Sequence, residues 1–486
     1  MVLGIETRSD MLSANDGFEP VELNYVNLAN GSKVSAQPIL TKSLDVTQVS
    51  TSSDAVLVDL DKVIHPSLTG LGGAFNEQGG EAFMSLPKDK RKKLAEALFN
   101  SKTGAGLTLC RTAIGSSDFG LGSYSYSETP NDYEMKHFSI ERDTTSVIPF
   151  IRSAMEENPD LKLFASPWSP PGWMKENGVM DAGKDHDRSK NILKKDPKIY
   201  AAYARYFESY AKAYAKQGIT VERIIIQNET DMSPVYPGCD MFPDQMAELA
   251  SEYIRPQFTQ TGLETELWAG TFRGVVQEGA RKEETLDFMK QKGRDAVDGM
   301  GVQYCDLKVL SQLRETYPEL KLMHTEGHCH NGDNSMDQAR TRFQEVINYL
   351  YAGCENYCYW NMVLNEDSKS GWNWKQNSLV RIDRNGGDIF YNSDFAPIAL
   401  MSRSIRPGDQ LLQVSTPEGM KAIAVNNTER LVVLVQNNNK EPVVQNIELS
   451  SGKKIHVELP ANALCAVVFL RVQPYGESKP WLKIKQ

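Results

Sequence analysis

Residues 223–230, "RIIIQNET", run three isoleucines into Gln227, Asn228, Glu229 and Thr230. A β-branched apolar run of this kind reads as a strand buried on both faces, the texture of a parallel sheet. It ends in an amide and a carboxylate. An isolated buried charge is costly, so Glu229 calls for a partner elsewhere in the chain.

Seven more runs of similar texture lie at 68–76, 106–115, 161–169, 265–272, 299–305, 320–327 and 356–364. Amphipathic helical patterns at 87–100, 143–158, 197–217, 243–261, 278–292, 306–317 and 336–353 separate them. Strands alternating with helices predict parallel pairing, and eight such units predict a (β/α)8 TIM barrel. A doubly wound open sheet is the alternative. It finds no support in "GLGGAFNEQGG" (70–80), which lacks the G-x-G-x-x-G spacing of a phosphate loop.

The flanks have a different texture. Residues 1–64 carry short alternating runs such as "PVELNYVNL" and "SDAVLVDLD". Beyond residue 408 come "LLQVS", "KAIAV", "RLVVLVQN", "VVQNIEL", "KKIHVEL" and "LCAVVFL", six short strands at regular spacing. The predicted organisation is a catalytic barrel over 65–408 and a side β-sandwich over 409–486, to which the strands of 1–64 are added. A long polar insertion at 175–196 falls after the third barrel strand, at the end where barrels carry functional loops.

Composition narrows the function. The net charge of −10 argues against a nucleic-acid partner, and no run of about 18 apolar residues predicts a membrane span. "MVLGIETRSDMLSANDGFEP" (1–20) has no basic segment followed by an apolar core, which predicts a cytoplasmic chain, or a secreted or periplasmic one if a leader has been removed. Seven scattered cysteines suit free thiols better than a disulfide framework, with Cys354 and Cys358 as core residues.

Barrels place chemistry at the C-terminal ends of their strands. Those ends supply Asn76 and Glu77, Arg111 and Asp118, Trp168 and Trp173, Asn228 and Glu229, Arg273, Gln303 and Tyr304, Glu326, and Trp360 and Asn361. Glu229 and Glu326 stand out because each ends an apolar strand. Paired carboxylates in a tryptophan-lined cleft are the equipment of glycoside hydrolysis, one as general acid and the other as nucleophile or base. Indole faces suit sugar C–H surfaces, and amides and Asp read hydroxyls. The blander reading pairs each Glu with Arg111 or Arg273 and sinks Trp168 and Trp360 in the core. Against it stands the coincidence of so many polar and aromatic residues at one end of the strands. "HTEGHCHN" (324–331) offers His324, His328 and His330, but their spacing matches no established zinc pattern, so no metal and no cofactor are predicted.

With these residues assembled, the chain resembles glycoside hydrolase family 30, which includes glucosylceramidases, β-xylosidases and β-1,6-glucanases. The similarity runs through "GLGGAFNE" (70–77), "CRTAIGSSDFGLGSYSYSETPND" (110–132), "FASPWSPPGWMKENG" (164–178), "NET" (228–230), "HTEG" (324–327) and "YWNMVLNEDSKSGWNWKQN" (359–377). The resemblance implies a (β/α)8 barrel with a side β-sandwich built from both termini. It implies a retaining β-glycosidase with Glu229 as acid/base and Glu326 as nucleophile. Asn228 would touch the sugar 2-hydroxyl. Asp118, Trp168 and Trp360 would line the sugar subsite, with Asn377 near its rim and Arg111 orienting the nucleophile.

The chain departs from the family where a Tyr is expected to hydrogen-bond the nucleophile. Cys305 holds that place, preceded by Gln303 and Tyr304, and strand alternation would turn Tyr304 to the opposite face. The loop carrying His328 is also unusual. Gln303, Tyr304 and His328 are therefore further candidates for substrate binding. The expected substrate is a β-linked glycoside or oligosaccharide, foremost a β-glucoside of the glucosylceramidase type. β-Xylosidase, β-fucosidase and endo-β-1,6-glucanase activities are the alternatives within the family. A non-catalytic carbohydrate-binding barrel and a metal-dependent hydrolase using His324, His328 and His330 are the alternatives outside it.

Overall fold

The computed structural model describes residues 17–44, 54–274, 281–329 and 331–472. Residues 1–16 of the N-terminal stretch 1–20, and His330, lie outside the described residues. All eight barrel runs become parallel strands: β1 (Gly70–Phe75), β2 (Leu109–Ala113), β3 (Lys162–Ser166), β4 (Arg223–Ile225), β5 (Glu266–Phe272), β6 (Gly299–Val302), β7 (Leu322–His324) and β8 (Asn356–Asn361). They pair in sequence order from β1 to β7, with β8 beside β1. A parallel bridge between Leu322 and Cys354 nearly closes the ring. The architecture is a TIM barrel with helices outside.

Period-two alternation decides what fills the barrel. Leu109, Phe164, Ile225, Trp268, Met323 and Cys358, from six different strands, form one apolar layer. Gly299 makes room for the Trp268 ring, since a Cβ there would lie 2.5 Å from it. Two residues further along their strands, on the same face, stand Arg111, Ser166 and Trp360, with Thr325 just past the end of β7. The apolar layer is thus the floor on which a polar layer is built.

The strands are shorter than the apolar runs. In "RIIIQNET" only Arg223–Ile225 is strand. Gln227 still bonds to β5 through its N–H to the Gly270 carbonyl (2.8 Å), but Glu229 takes a left-handed φ of +45° and leaves the sheet. The outer helices form for ordinary reasons. Pro197–Lys216 starts with Asp196 accepting from the Lys198 N–H and Pro197 in the first turn, and it buries Tyr200, Tyr203, Phe207, Tyr210 and Tyr214 at helical spacing. Met336–Tyr351 is capped by Ser335 and buries Ala339, Phe343, Val346 and Leu350, so its other side is left to face the barrel mouth and solvent.

The side domain is one nine-stranded sheet. Its order is Lys454–Leu459, Val443–Leu449, Ala55–His65, Gln410–Ser415, Ala422–Asn426, Arg430–Asn437, Ala463–Arg471, Phe18–Asn27 and Leu40–Ser43. All neighbours are antiparallel except Ala55–His65 beside Val443–Leu449. Strands from both termini meet where Phe18–Asn27 pairs with Ala463–Arg471. Phe18 and Leu23 share an apolar cluster with Val56, Val433, Ile455 and Val457, so strands far apart in the sheet enclose a common core. A smaller sheet of Val363–Asn365, Val380–Asp383 and Asp388–Tyr391 was not foreseen; it carries the loop that follows β8. Among the described residues no helix is long and apolar enough to cross a membrane. Cys354 and Cys358 are buried free thiols.

Candidate active site

Arg111 on β2 anchors the polar layer. It is completely buried, so each of its five N–H groups needs an acceptor. Nη1 donates to Glu326 Oε2 (2.8 Å) and to the Thr325 carbonyl (3.0 Å). Nη2 donates to Ser166 Oγ (2.8 Å) and Asn228 Oδ1 (2.7 Å), and Nε to Ser166 Oγ (3.2 Å). The guanidinium lies 4.5 Å from the Trp168 ring centre and 5.4 Å from that of Trp360. Those indoles stack on each other at 5.0 Å.

Glu326 has a second partner. The Tyr304 hydroxyl donates to its Oε1 at 2.9 Å. Tyr304 therefore takes the role that alternation denied it. The reason is local: β6 ends at Val302, and Tyr304 has a left-handed φ of +54°, so the two-residue period no longer governs its direction. Cys305, in the place where the tyrosine was expected, turns its thiol to the Phe272 carbonyl (3.4 Å). Burial raises the Glu326 pKa, while the Arg111 charge and the bonds from Tyr304 and Arg111 stabilise its charge and pull it back. Tyr304→Phe is expected to lower kcat/KM roughly 10- to 100-fold, the range for a hydrogen bond to a charged group. It should also move the acid limb of the pH profile to higher pH, because a donor that favours the ionised form is lost. An unmoved acid limb would detach Tyr304 from the Glu326 charge.

Glu229 sits in a different environment. Its N–H donates to Thr271 Oγ1 (2.9 Å), which holds the left-handed turn. Gln303 Nε2 donates to its Oε1 at 3.3 Å. Arg273 lies 3.9 Å away and is drawn off by Asp231, which accepts its Nε–H at 2.8 Å. Burial pushes the Glu229 pKa up to about 7; Arg273 opposes the rise and the charge of Glu326 adds to it. The Gln303 amide oxygen is fixed by Thr325 Oγ1 at 2.7 Å, which turns its NH2 group to Glu229. One carboxyl is ion-paired, and the other is buried with its cation held back.

Beside the pair, Asp118 is buried with Oδ1 unpartnered, and its pKa is raised well above the usual carboxylate range by burial and by Glu326 and Glu229. Trp360 Nε1 is likewise buried and unpartnered. Asn228 Oδ1 is taken by Arg111 and by Thr271 Oγ1 (3.2 Å), which leaves its NH2 group to meet a ligand. The phenol of Tyr236 lies within the field of Glu229, Asp118 and Glu326, and its ring packs edge-on to Trp374 at 4.7 Å and Trp372 at 6.2 Å. These three rings were missed as candidates. The signal was the "GWNW" of 371–374, two indoles in a polar loop that no core required.

Other candidates sit elsewhere. Glu77 is tied to Arg142 and to the Leu121 N–H (2.7 Å), a structural carboxylate. Trp173 donates its Nε1–H to the Ser127 carbonyl (2.9 Å) and packs on Tyr133. Asn377, expected near the sugar rim, is fully buried, its Oδ1 accepting from the Asn334 N–H (3.1 Å) and its Nδ2 donating to Asp333 (3.4 Å). It holds the loop after β7. His328 is exposed and packs edge-on to Tyr304 at 5.7 Å. His324 is buried and stacked on Tyr357 at 4.4 Å, and burial lowers its pKa to about 3. Among the described residues no three His, Cys, Asp or Glu side chains converge as a metal would need.

Comparison with known proteins adds an independent line. A family model described as the glycosyl hydrolase family 30 TIM-barrel domain matches residues 68–261. The chain is 25% identical to putative glucosylceramidase 3 of Caenorhabditis elegans over 83% of this chain and 80% of that protein. It is also 25% identical to the endo-1,6-beta-D-glucanase neg1 of Aspergillus fumigatus, over 82% and 84% respectively. The crystal structure of SrfJ from Salmonella typhimurium shares the fold with a TM-score of 0.80 at 22% identity, covering 94% of this chain and all of that one (100%).

Proposed function

Because the chain belongs to glycoside hydrolase family 30, a family of retaining glycosidases, we propose that Glu326 is its nucleophile and Glu229 its acid/base, acting on β-glucosides. Glu326 attacks the anomeric carbon as Glu229 gives its proton to the departing glycosidic oxygen. Water then attacks the glycosyl–enzyme bond, Glu229 takes its proton, and the sugar leaves with its β configuration restored.

The observation that carries this division of labour is the asymmetry of partners at the two carboxyl groups. Of the two, only Glu326 accepts from Arg111 and Tyr304, which keeps its charge for attack, while Glu229 accepts from the neutral Gln303 amide. Glu229 has burial and a distracted Arg273, which keep its proton available. The unpartnered Asp118 oxygen and the free NH2 of Asn228 supply an acceptor and a donor for sugar hydroxyls. The choice of glucose rests on the two sequence relatives, whose names specify a glucosylceramide and a β-D-glucan.

A panel of aryl β-glucoside, xyloside, fucoside and galactoside tests the sugar, and proton NMR of the first-formed product tests the mechanism. The glucoside is expected to give the highest kcat/KM and the β anomer first. An α anomer formed first would contradict double displacement, and a preference for another sugar would replace glucose.

A further inference from the structure

The polar insertion at 175–196 packs on residues 231–240, the loop that follows Glu229 at one residue's remove. The Ala182 N–H donates to the Pro234 carbonyl (2.9 Å), the Gly238 N–H to that of Met180 (2.9 Å) and the Asp240 N–H to that of Asn191 (2.8 Å). The Asn191 amide donates to Ser233 Oγ (2.9 Å). Lys175 is completely buried, and its ammonium group donates to the carbonyls of Gly238 (2.7 Å) and Met180 (2.9 Å). The loop held in this way carries Tyr236, whose phenol lies in the field of both catalytic carboxyl groups.

Two guanidinium groups close the neck of that loop, where the Met241 N–H donates to the Thr230 carbonyl (2.8 Å). Arg281 donates from Nη2 to the carbonyls of Thr230 (2.6 Å) and Met241 (3.1 Å), and from Nη1 to Asp240 Oδ1 (2.6 Å). Arg188, from the insertion, donates from Nη2 to the Asp231 carbonyl (2.8 Å) and pairs through Nε with Oδ2 of the same buried Asp240. Asp231 is thereby fixed at its carbonyl by Arg188 and at its Oδ2 by the Arg281 N–H (3.0 Å). Its Oδ1 then meets Arg273 at 2.8 Å, which leaves that guanidinium 3.9 Å from Glu229. A planar fork that spans two acceptors sets direction as well as distance.

We propose that the insertion is a brace for the proton donor and that Arg188 is its positioning residue: by gripping Asp240 and the Asp231 carbonyl, it holds the Asp231 carboxylate where it keeps Arg273 off Glu229. The inference rests on the acid/base reading of Glu229 above and adds to it the residues that keep the proton in place. The charged and titratable groups facing Glu229 are Arg273 after β5, Glu326 after β7, Asp231 on its own segment, Tyr236, Tyr304 and Asp118. Once Asp231 is released, Arg273 is free to close on Glu229, and a cation at that distance favours the ionised carboxylate. The proton is then lost at lower pH, and the carboxyl group is turned away from the departing oxygen.

The test compares the full chain with Arg188→Ala and Arg188→Lys on the phenyl and dinitrophenyl β-glycosides of its preferred sugar. Arg188→Ala is expected to lower kcat/KM about tenfold or more on the phenyl glycoside and less than about threefold on the dinitrophenyl one, since only the first needs the proton. Its alkaline limb should move to lower pH by about half a unit or more, while the acid limb, which belongs to Glu326, stays in place. Arg188→Lys keeps a cation beside Asp240 without the planar fork and should fall between the parent and the alanine variant. Circular dichroism across the same pH range separates a moved limb from unfolding, and the lysine variant carries the test if the alanine variant does not fold. An alkaline limb at the parental pH, or equal losses on the two leaving groups, overturns the brace while leaving the acid/base assignment standing. An alkaline limb that survives Glu229→Gln overturns that assignment and the brace with it.

Discussion

Glu326→Ala is expected to lower kcat on the order of 10^4- to 10^6-fold, the loss seen when a nucleophile is removed from a working set. The structure around it sharpens this expectation. Glu326 is the carboxylate to which Arg111 and Tyr304 donate, and both donors are retained when the side chain is shortened. The space left is a small cavity facing a buried guanidinium, suited to a small anion. Azide should therefore restore part of the turnover of an activated aryl glycoside. It attacks from the face that Glu326 vacated, so the product should be the α-glycosyl azide, identifiable by NMR. A β-glycosyl azide would mean that the anion came from the opposite face and that Glu229 is the nucleophile.

Glu229→Gln should lower kcat/KM about 10²- to 10⁴-fold on substrates with poor leaving groups, the usual worth of general acid catalysis, and less on dinitrophenyl glycosides that need no proton. In the parent protein activity should fall as pH rises through about 7, because burial holds the Glu229 proton until then. The variant should lose that alkaline limb. A limb that survived the substitution would belong to another group.

The same proton links activity to stability. The folded protein keeps the Glu229 proton up to about pH 7, whereas an ordinary glutamate releases it near 4.5. Between those values the folded state binds more protons than the unfolded chain, so its stability falls as pH rises. The glutamine variant has no such cost. It should be the more stable protein at pH 8, by of order 3 kcal/mol, and the difference should vanish below about pH 4.5. Urea unfolding at the two pH values measures it. A variant no more stable at pH 8 would show that Glu229 ionises in the fold as readily as in water.

Much of this was legible in the chain. Each of the eight apolar runs became a barrel strand, and the six runs after residue 408 became sheet strands joined by strands from the N-terminus. Burial on a strand has a period of two residues and burial on a helix about 3.6, so a local window of sequence contains the signal. Strand order then follows from short connections, and the position of Glu229 and Glu326 at strand ends follows from strand order.

The parts that misled were those where the local period stops. Strand alternation points Tyr304 to the wrong face because the chain leaves the strand at Val302 and turns left-handed two residues later. The resemblance places Asn377 at the rim, but its amide is spent on the loop at 333–334. Tyr236, Trp372 and Trp374 are far apart in the chain or lie in an irregular loop, and no periodic pattern marks them as one aromatic wall.

The chain alone carries the TIM barrel, the side sheet from both termini and the two carboxylates at the mouth, and its resemblance to family 30 proposes a role for each. The physical difference between their surroundings is visible only in three dimensions. The separation of roles depends on Arg111 reaching Glu326 from 215 positions away, on Asp231 diverting Arg273 from Glu229, and on the backbone at Tyr304 turning its hydroxyl inward. Those are contacts between groups that the barrel brings together. A pattern read along one strand describes how that strand is buried, but the proton affinity of a carboxyl group depends on the charges and donors its neighbours bring to it.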